Sequence, residues 1–253
     1  MVPFKEALDT VLVSDERVAC KAPLQLVHVD ADCLVVDKPA GVLSVPGRGP
    51  LLQDSMAARV QAEFEGASVV HRLDMATSGL LLFARNPAAQ RALSGAFARR
   101  EVHKHYVAVV DGHVAAGGGE IDLPLGADWP RRPRQQIDVV RGKPSLTRYR
   151  TSRSGQGDAA HLDDPFVDDG PFDGASFSAG GDHTRLMLQP VTGRTHQLRV
   201  HLQAIGHPII GDTLYAPAEV ACKADRLLLH AAVLGFAHPR TGAWVQLRST
   251  PAF

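Results

Sequence analysis

Cysteine is scarce in this chain and odd in number. Its three copies, Cys20, Cys33 and Cys222, stand far apart and form no C-x-x-C pair. That excludes a disulfide framework and a thiolate-built zinc site, and leaves small side chains in a reducing compartment. Long apolar runs are missing too. No stretch approaches the ~20 residues that cross a bilayer. The opening, MVPFKEALDTVLVSDERV, carries acids where a secretory leader needs an apolar core. The expectation is a cytoplasmic protein with no membrane partner. Several catalytic signatures are also absent: G-x-x-x-x-G-K-[ST], G-x-G-x-x-G after a strand, G-x-S-x-G and H-E-x-x-H. These absences remove P-loop, dinucleotide, nucleophile-elbow and zincin chemistry. His103 and His105 would share a strand face, but two imidazoles need further ligands to hold a metal, and none is expected.

Charge of one sign is lacking overall, with 27 basic against 27 acidic residues in 253. The balance is local, however. Residues 151–183 hold seven aspartates and one arginine, so the remainder carries 26 basic against 20 acidic side chains. A basic surface for a polyanion is therefore available once that segment is set aside. The segment is rich in Gly, Ser and Asp and has no periodicity. It reads as a solvated hairpin loop, with mimicry of an RNA strand as the functional alternative.

An apolar share of 45% supports a substantial core. LQLVHVDADCLVV, residues 24–36, reads as two short strands turned at Asp30–Asp32. DKPAGVLSVPGR, residues 37–48, is a Pro/Gly-punctuated loop. Leu52, Met56, Val60 and Phe64 predict a helix over 51–64 with Asp54 as its cap. Leu80–Phe83 reads as a buried strand. Residues 86–102 predict a second helix, with Asn86 as cap, Pro87 in the first turn, and Arg91, Arg99 and Arg100 on a basic face. Further strands are expected over 106–114, from Glu120, over 145–151, 184–191, 226–239 and 243–249, with Gly117–Gly119 as a break. Leu198, Leu202 and Ile205 predict a helix over 195–205 that stops at Gly206. Many strands with few helices, not strictly alternating, give an α+β class with a largely antiparallel sheet.

Three stretches can carry chemistry. In HRLDMATSGLLLFARN, residues 71–86, Asp74 stands between an arginine and small residues that leave room for a bulky ligand. The chain then enters a core strand, which would hold the carboxylate rigidly. A turn or cap role is the alternative. In GRTHQLRVHLQAIGHPIIGDTLY, residues 193–215, Arg194, Thr195, His196 and Gln197 fall at a helix start, where free N–H groups favour anions. Arg194 could fork onto a carboxylate or be an ordinary surface arginine. In DLPLGADWPRRPRQQ, residues 122–136, Trp129 sits among Arg131, Arg132 and Arg134, a mixture suited to unpaired bases and phosphates, or to a solubilising turn.

Together, HRLDMATSGLLLFA, GRTHQLRVHLQAIGHPIIGDTLY, DKPAGVLSVPG and RLLLHA resemble the motifs of RluA-type pseudouridine synthases over about residues 24–250. The resemblance implies an α+β pseudouridine synthase fold, with a mixed, largely antiparallel sheet, flanking helices and a central cleft. It places an N-terminal extension at 1–22 and a catalytic domain at 23–253 with the acidic insertion at 151–183. The short extension leaves no room for an S4-type domain. It implies an enzyme, an RNA-modifying isomerase without metal or cofactor, that cuts a uridine's glycosidic bond and rejoins the base through carbon 5. Asp74 matches the essential aspartate, Arg194 the arginine paired with it, and Tyr106 the tyrosine stacked on the target base. Arg72 matches a residue that fills the gap left by the flipped nucleotide, and Leu228 an apolar wall. Thr195, His196, Gln197, Arg131, Arg132 and Arg134 are the expected RNA contacts. The implied substrates are the tRNA anticodon stem-loop at position 32 and a 23S rRNA loop at position 746, acted on by a monomer. An enzyme confined to 23S rRNA is one alternative; a catalytically silent RNA-binding module of the same fold is another.

Overall fold

The computed structural model describes residues 23–151 and 182–253. The expectations for the N-terminal extension and for the acidic insertion, apart from its two ends, lie outside the described residues.

Ten strands form one sheet. Eight run in the order β1 (Leu26–Val29), β2 (Cys33–Lys38), β4 (Ser78–Ala84), β11 (Leu229–Ala237), β5 (His103–Asp111), β10 (His183–Pro190), β9 (Leu146–Thr151) and β6 (Gly118–Asp122). Two more attach to it, β3 (Ser68–Val69) on β4 and β12 (Trp244–Arg248) on β11. A separate hairpin joins β7 (Leu125–Ala127) to β8 (Gln135–Ile137). Among the described strand pairings only β4 with β11 is parallel, so the mixed, largely antiparallel α+β sheet is what the chain forms. The predicted break at Gly117–Gly119 is instead the start of β6: Gly118 and Gly119 pair with Arg150 and Tyr149.

The apolar runs of β2 and β4 follow from burial on both faces. Cys33 and Val35 of β2, with Leu80, Leu82 and Ala84 of β4, pack on Ala89, Leu93 and Ala96 of α2 (Pro87–Arg99). The alternate residues Leu34, Val36, Leu81 and Phe83 pack on Met56, Ala57 and Val60 of α1 (Met56–Glu63). A strand covered twice cannot alternate with polar residues. Each such buried leucine contributes about 1.5–3 kcal/mol. The third core joins β5, β10 and β11 to Leu198 and Leu202 of α3 (Gln197–Ala204).

Helix ends show where local reading held. Asn86 caps α2 by accepting the Ala89 N–H at 2.9 Å, with Pro87 in the first turn. At α1 the cap is Ser55, whose hydroxyl accepts the Ala58 N–H at 3.2 Å. Asp54, the expected cap, instead forks onto Arg59 at 2.8 and 2.6 Å. Residues 50–52 form a separate 3-10 turn. Gly206 ends the α3 segment at φ +87°.

Gly79 makes the parallel contact possible. Its φ is +110°, and a Cβ there would lie 2.3 Å from the Ala231 carbonyl oxygen of β11 and 2.6 Å from the Ala231 nitrogen. Backbone meets backbone, so nothing soft can yield. Gly79→Ala is expected to cost about 3 kcal/mol in urea unfolding; an unchanged midpoint would show that the two strands separate freely there.

Candidate active site

Asp74 sits in the loop that enters β4, clamped on both sides by the loop after β2. The Ser44 hydroxyl accepts the Leu73 N–H at 3.0 Å and donates to the Leu73 carbonyl at 2.7 Å. The Met75 carbonyl accepts from Gly41 N–H at 2.8 Å and from the Lys38 ammonium at 3.0 Å. Thr77 N–H donates to the Asp74 carbonyl at 3.1 Å and closes the turn. Lys38 is fully buried and also donates to the carbonyls of Pro39 and Val42, at 2.8 and 2.7 Å. Burial pushes its ammonium down to about 7, while the nearby charge of Asp74 raises it. Three carbonyls take all three ammonium protons.

The Asp74 side chain, 26% exposed, reaches a cavity of about 270 Å³ lined also by Thr77, Tyr106, His196, Arg199 and Leu229. Its carboxylate lies 3.8 Å from Arg199 Nη1 and 3.9 Å from His196 Nε2. Both neighbours are braced from behind. Arg199 forks onto the buried Asp212 at 2.8 and 2.7 Å, and Asp212 also accepts the N–H groups of Leu214 and Tyr215. Burial works against the Arg199 charge, but hydrogen bonds to Asp212 and the fields of Asp212 and Asp74 raise its pKa. The Tyr215 hydroxyl accepts the Gln135 N–H at 2.8 Å, so its own proton goes to His196 Nδ1 at 2.6 Å. His196 is then a neutral imidazole whose Nε2–H faces Asp74. Burial, which lowers its pKa, agrees. Tyr106 is placed by pairing across three strands, Gly79 opposite Ala231 and Ala231 opposite Tyr106. Burial and the field of Asp74 both raise its hydroxyl pKa, so it is a proton-bearing phenol.

The Asp74 carboxylate thus stands between a guanidinium and an imidazole in a small hollow that Tyr106 also lines. The RNA pseudouridylate synthase family model matches residues 32–204. The chain belongs to the RNA pseudouridylate synthase family. It is 43% identical over 230 residues to a dual-specificity RNA pseudouridine synthase RluA of Pasteurella multocida, covering 91% of this chain and 94% of that one. Against the RluA of Escherichia coli K12 it is 42% identical over 219 residues, 87% and 89% of the two chains. The solved human RNA pseudouridylate synthase domain containing 1 superposes with a TM-score of 0.69 at 30% identity, covering 91% of this chain and 84% of that one.

Several residues of this synthase sit elsewhere than expected. Arg194 is not the partner of Asp74. It lines the same cavity, but its Nε donates to the Pro144 carbonyl at 3.3 Å. The pairing belongs to Arg199, five residues on and one turn into α3. Leu228 is buried in the core; its neighbour Leu229 supplies the cavity wall. Thr195 is exposed and does not line the cavity. Gln197 does, yet its amide is spent internally, accepting from Thr192 and Arg194 and donating to Leu146 and Thr147. It braces rather than binds. The small residues after Asp74 serve packing more than access. Ala76 joins the core, Ser78 bonds to His230 and Gly79 meets β11, so Thr77 alone of the four faces the hollow.

Arg72 is exposed and lines the cavity. The three hairpin arginines divide. Arg131 pairs with the buried Asp128 at 2.7 Å, Arg132 stacks 4.3 Å over the exposed Trp129, and Arg134 lies 5.3 Å over Tyr215. Arg199, Asp212 and Tyr215 were missed as site residues. The readable signal was Arg199 itself, three residues before Leu202 on the apolar side of its helix, where a charge demands a buried acid.

Two groups of candidate metal ligands, His28/Asp30/Cys33 and Asp30/Asp32/His238, lie around the β1–β2 turn. Their chemistry is already spent. His238 Nδ1 accepts the N–H groups of Arg240 and Thr241, which puts the ring proton on Nε2, facing Asp30 at 3.1 Å. Burial opposes the Asp30 charge, but two backbone N–H groups and two imidazoles hold its carboxyl well below the usual range. Burial, and then Asp30, push the Cys33 thiol up to about 12, away from a ligating thiolate.

Removing either brace gives distinct outcomes. Asp212→Ala leaves a buried guanidinium unpaired and is expected to cost about 3–5 kcal/mol of unfolding free energy. Tyr215→Phe removes the donor to His196 together with the acceptor of the Gln135 N–H, so turnover should fall about tenfold, a loss of about 1.4 kcal/mol, at near-parental RNA affinity. Unchanged turnover in that variant would show that imidazole orientation is idle.

Proposed function

We propose that this synthase isomerises uridines in structured RNA loops, with Asp74 as the group that performs the bond exchange. The targets are the tRNA anticodon stem-loop at position 32 and the 23S rRNA loop at position 746. The reading extends to a cytoplasmic, monomeric enzyme. No helix among the described residues is long and apolar enough to cross a membrane.

One observation carries the chemistry: the Asp74 carboxylate faces a hollow of nucleobase scale, with Arg199 and His196 beside it and Tyr106 in the same lining. The reaction breaks the C1′–N1 bond and makes a C1′–C5 bond, then moves the C5 proton. A positioned carboxylate can attack carbon or shuttle a proton, and both routes use the same placement. Tyr106 offers a ring face for the base. The base must leave its stack, which costs a few kcal/mol and least in a loop. Arg72, exposed in that lining, is placed to occupy the gap. Trp129, 68% exposed with Arg132 against its face, supports contact with unpaired bases. The dual specificity in the names of the RluA relatives, and the coverage of nearly their whole length, favour both RNAs over rRNA alone.

Pseudouridine mapping in tRNA and rRNA from cells with and without the gene tests the targets: loss at tRNA position 32 and 23S rRNA position 746 is expected, and loss in rRNA alone would remove the tRNA half. Asp74→Asn should abolish turnover while RNA affinity stays within about tenfold, because a neutral amide cannot replace the carboxylate; parental turnover in the purified variant would overturn the assignment. Arg132→Ala, more than Arg131→Ala, should weaken RNA binding and flatten its salt dependence. Equal slopes for parent and Arg132→Ala would take the hairpin out of the footprint.

A further inference from the structure

Beside the catalytic hollow lies a second one, of about 380 Å³. The two share Phe97, Lys104, Thr192, Gly193 and Arg194 as a common wall. Arg100 lines only the second, at the left-handed C-cap of α2, φ 63°. Three cations thus face one space, and no acidic residue lines it.

Lys104 is the unusual member. The two fully buried cations among the described residues are compensated, Lys38 by three carbonyls and Arg199 by Asp212, whereas Lys104 is half-buried. The Lys104 ammonium makes no hydrogen bond or ion pair among the described residues. Burial lowers its ammonium pKa and Arg100 lowers it further, with no carboxylate opposing. Its ring neighbour does not help: His71 accepts the Leu82 N–H at 3.0 Å, stacks on Phe97 and is held neutral by burial, with Lys104 adding to the shift. An uncompensated, partly desolvated ammonium beside two guanidiniums is costly unless an anion completes it. Gly193 stands at the passage between the hollows, where a Cβ would lie 3.8 Å from Lys104 Nζ.

We propose that this second hollow seats a backbone phosphate of the substrate RNA, next to the everted uridine, with Lys104 as its principal ligand and Arg100 and Arg194 beside it. The inference rests on the RNA-loop reading above. A phosphodiester suits the site because it is anionic, linked to the nucleotide in the adjoining hollow, and independent of base identity. It would complete the charge of Lys104 and fix the register of the strand, so that a uridine rather than its neighbour faces Asp74.

The test pairs protein and RNA changes. A stem-loop RNA carrying one uncharged methylphosphonate linkage, scanned through the positions flanking the target uridine, is bound to the parent, Lys104→Met and Lys104→Arg. In the parent, one linkage should cost about tenfold in affinity when neutralised. Lys104→Met should lose about tenfold with unmodified RNA, reduce the salt slope by about 0.7, and be indifferent to neutralisation of that one linkage. Lys104→Arg should keep the slope. Penalties that simply add for Lys104→Met at every linkage would overturn the proposal. So would a parental slope in Lys104→Met, or equal competition by millimolar inorganic phosphate against parent and Lys104→Met. Pseudouridine formation by the parent on the same RNA is measured separately. If it fails, the substrate reading falls; if it succeeds while the linkage effects add, only the phosphate seat falls.

Discussion

Arg199 is a guanidinium buried inside a helix, and the catalytic centre is organised around what that burial demands. Two of its nitrogens are consumed by Asp212, and the third faces Asp74. The Asp212 fork therefore does two jobs. It makes the buried charge tolerable, and it fixes the direction in which the remaining nitrogen points. The Tyr215 ring lies 5.0 Å from the same guanidinium, and its hydroxyl sets the tautomer of His196. A cation and a neutral imidazole thus arrive at one carboxylate by rigid, hydrogen-bonded routes from a different part of the chain.

The carboxylate is held with equal care from its own side. Ser44 and Lys38 pin the carbonyls before and after it, so the loop that carries Asp74 has little freedom left. Gly79 then lets β4 touch β11 within five residues of Asp74, and the same row of backbone sets Tyr106 in place. Catalytic placement of this kind depends on sub-ångström tolerance, which strands and buried polar clamps supply better than open loops. The DKPAGVLS loop looks from its composition like a simple connector, and its position explains why it needs a lysine and a serine where it has them.

Overall charge neutrality conceals a polarised molecule. The acidic side chains concentrated in one segment leave a basic remainder, and that remainder is uneven. Arg132 stacks on an exposed tryptophan, Arg72 lines the catalytic cavity, and Lys104 with Arg100 and Arg194 surrounds a hollow that lacks acids. Other arginines are spent internally, as Arg131 on Asp128 and Arg240 on Asp32. Counting basic residues therefore says less about a polyanion site than asking which of them lack a carboxylate.

The amino-acid sequence by itself determined the doubly buried strands, the Asn86 cap, the α+β class and the family, because each rests on short-range spacing or on motifs contiguous in the chain. Asp74 was legible for the same reason: its neighbours in sequence are also its neighbours in space. Only the tertiary structure decided that Asp74 faces Arg199 and not Arg194, that Leu229 and not Leu228 walls the hollow, and that Gln197 is a brace. Those choices turn on which side of a helix or strand a residue presents. A step of one residue on a strand reverses the face, and Arg194 lies in the loop before α3 while Arg199 lies within it. The Asp212 and Tyr215 supports were invisible in advance because they act across a fold, through partners that only packing brings together.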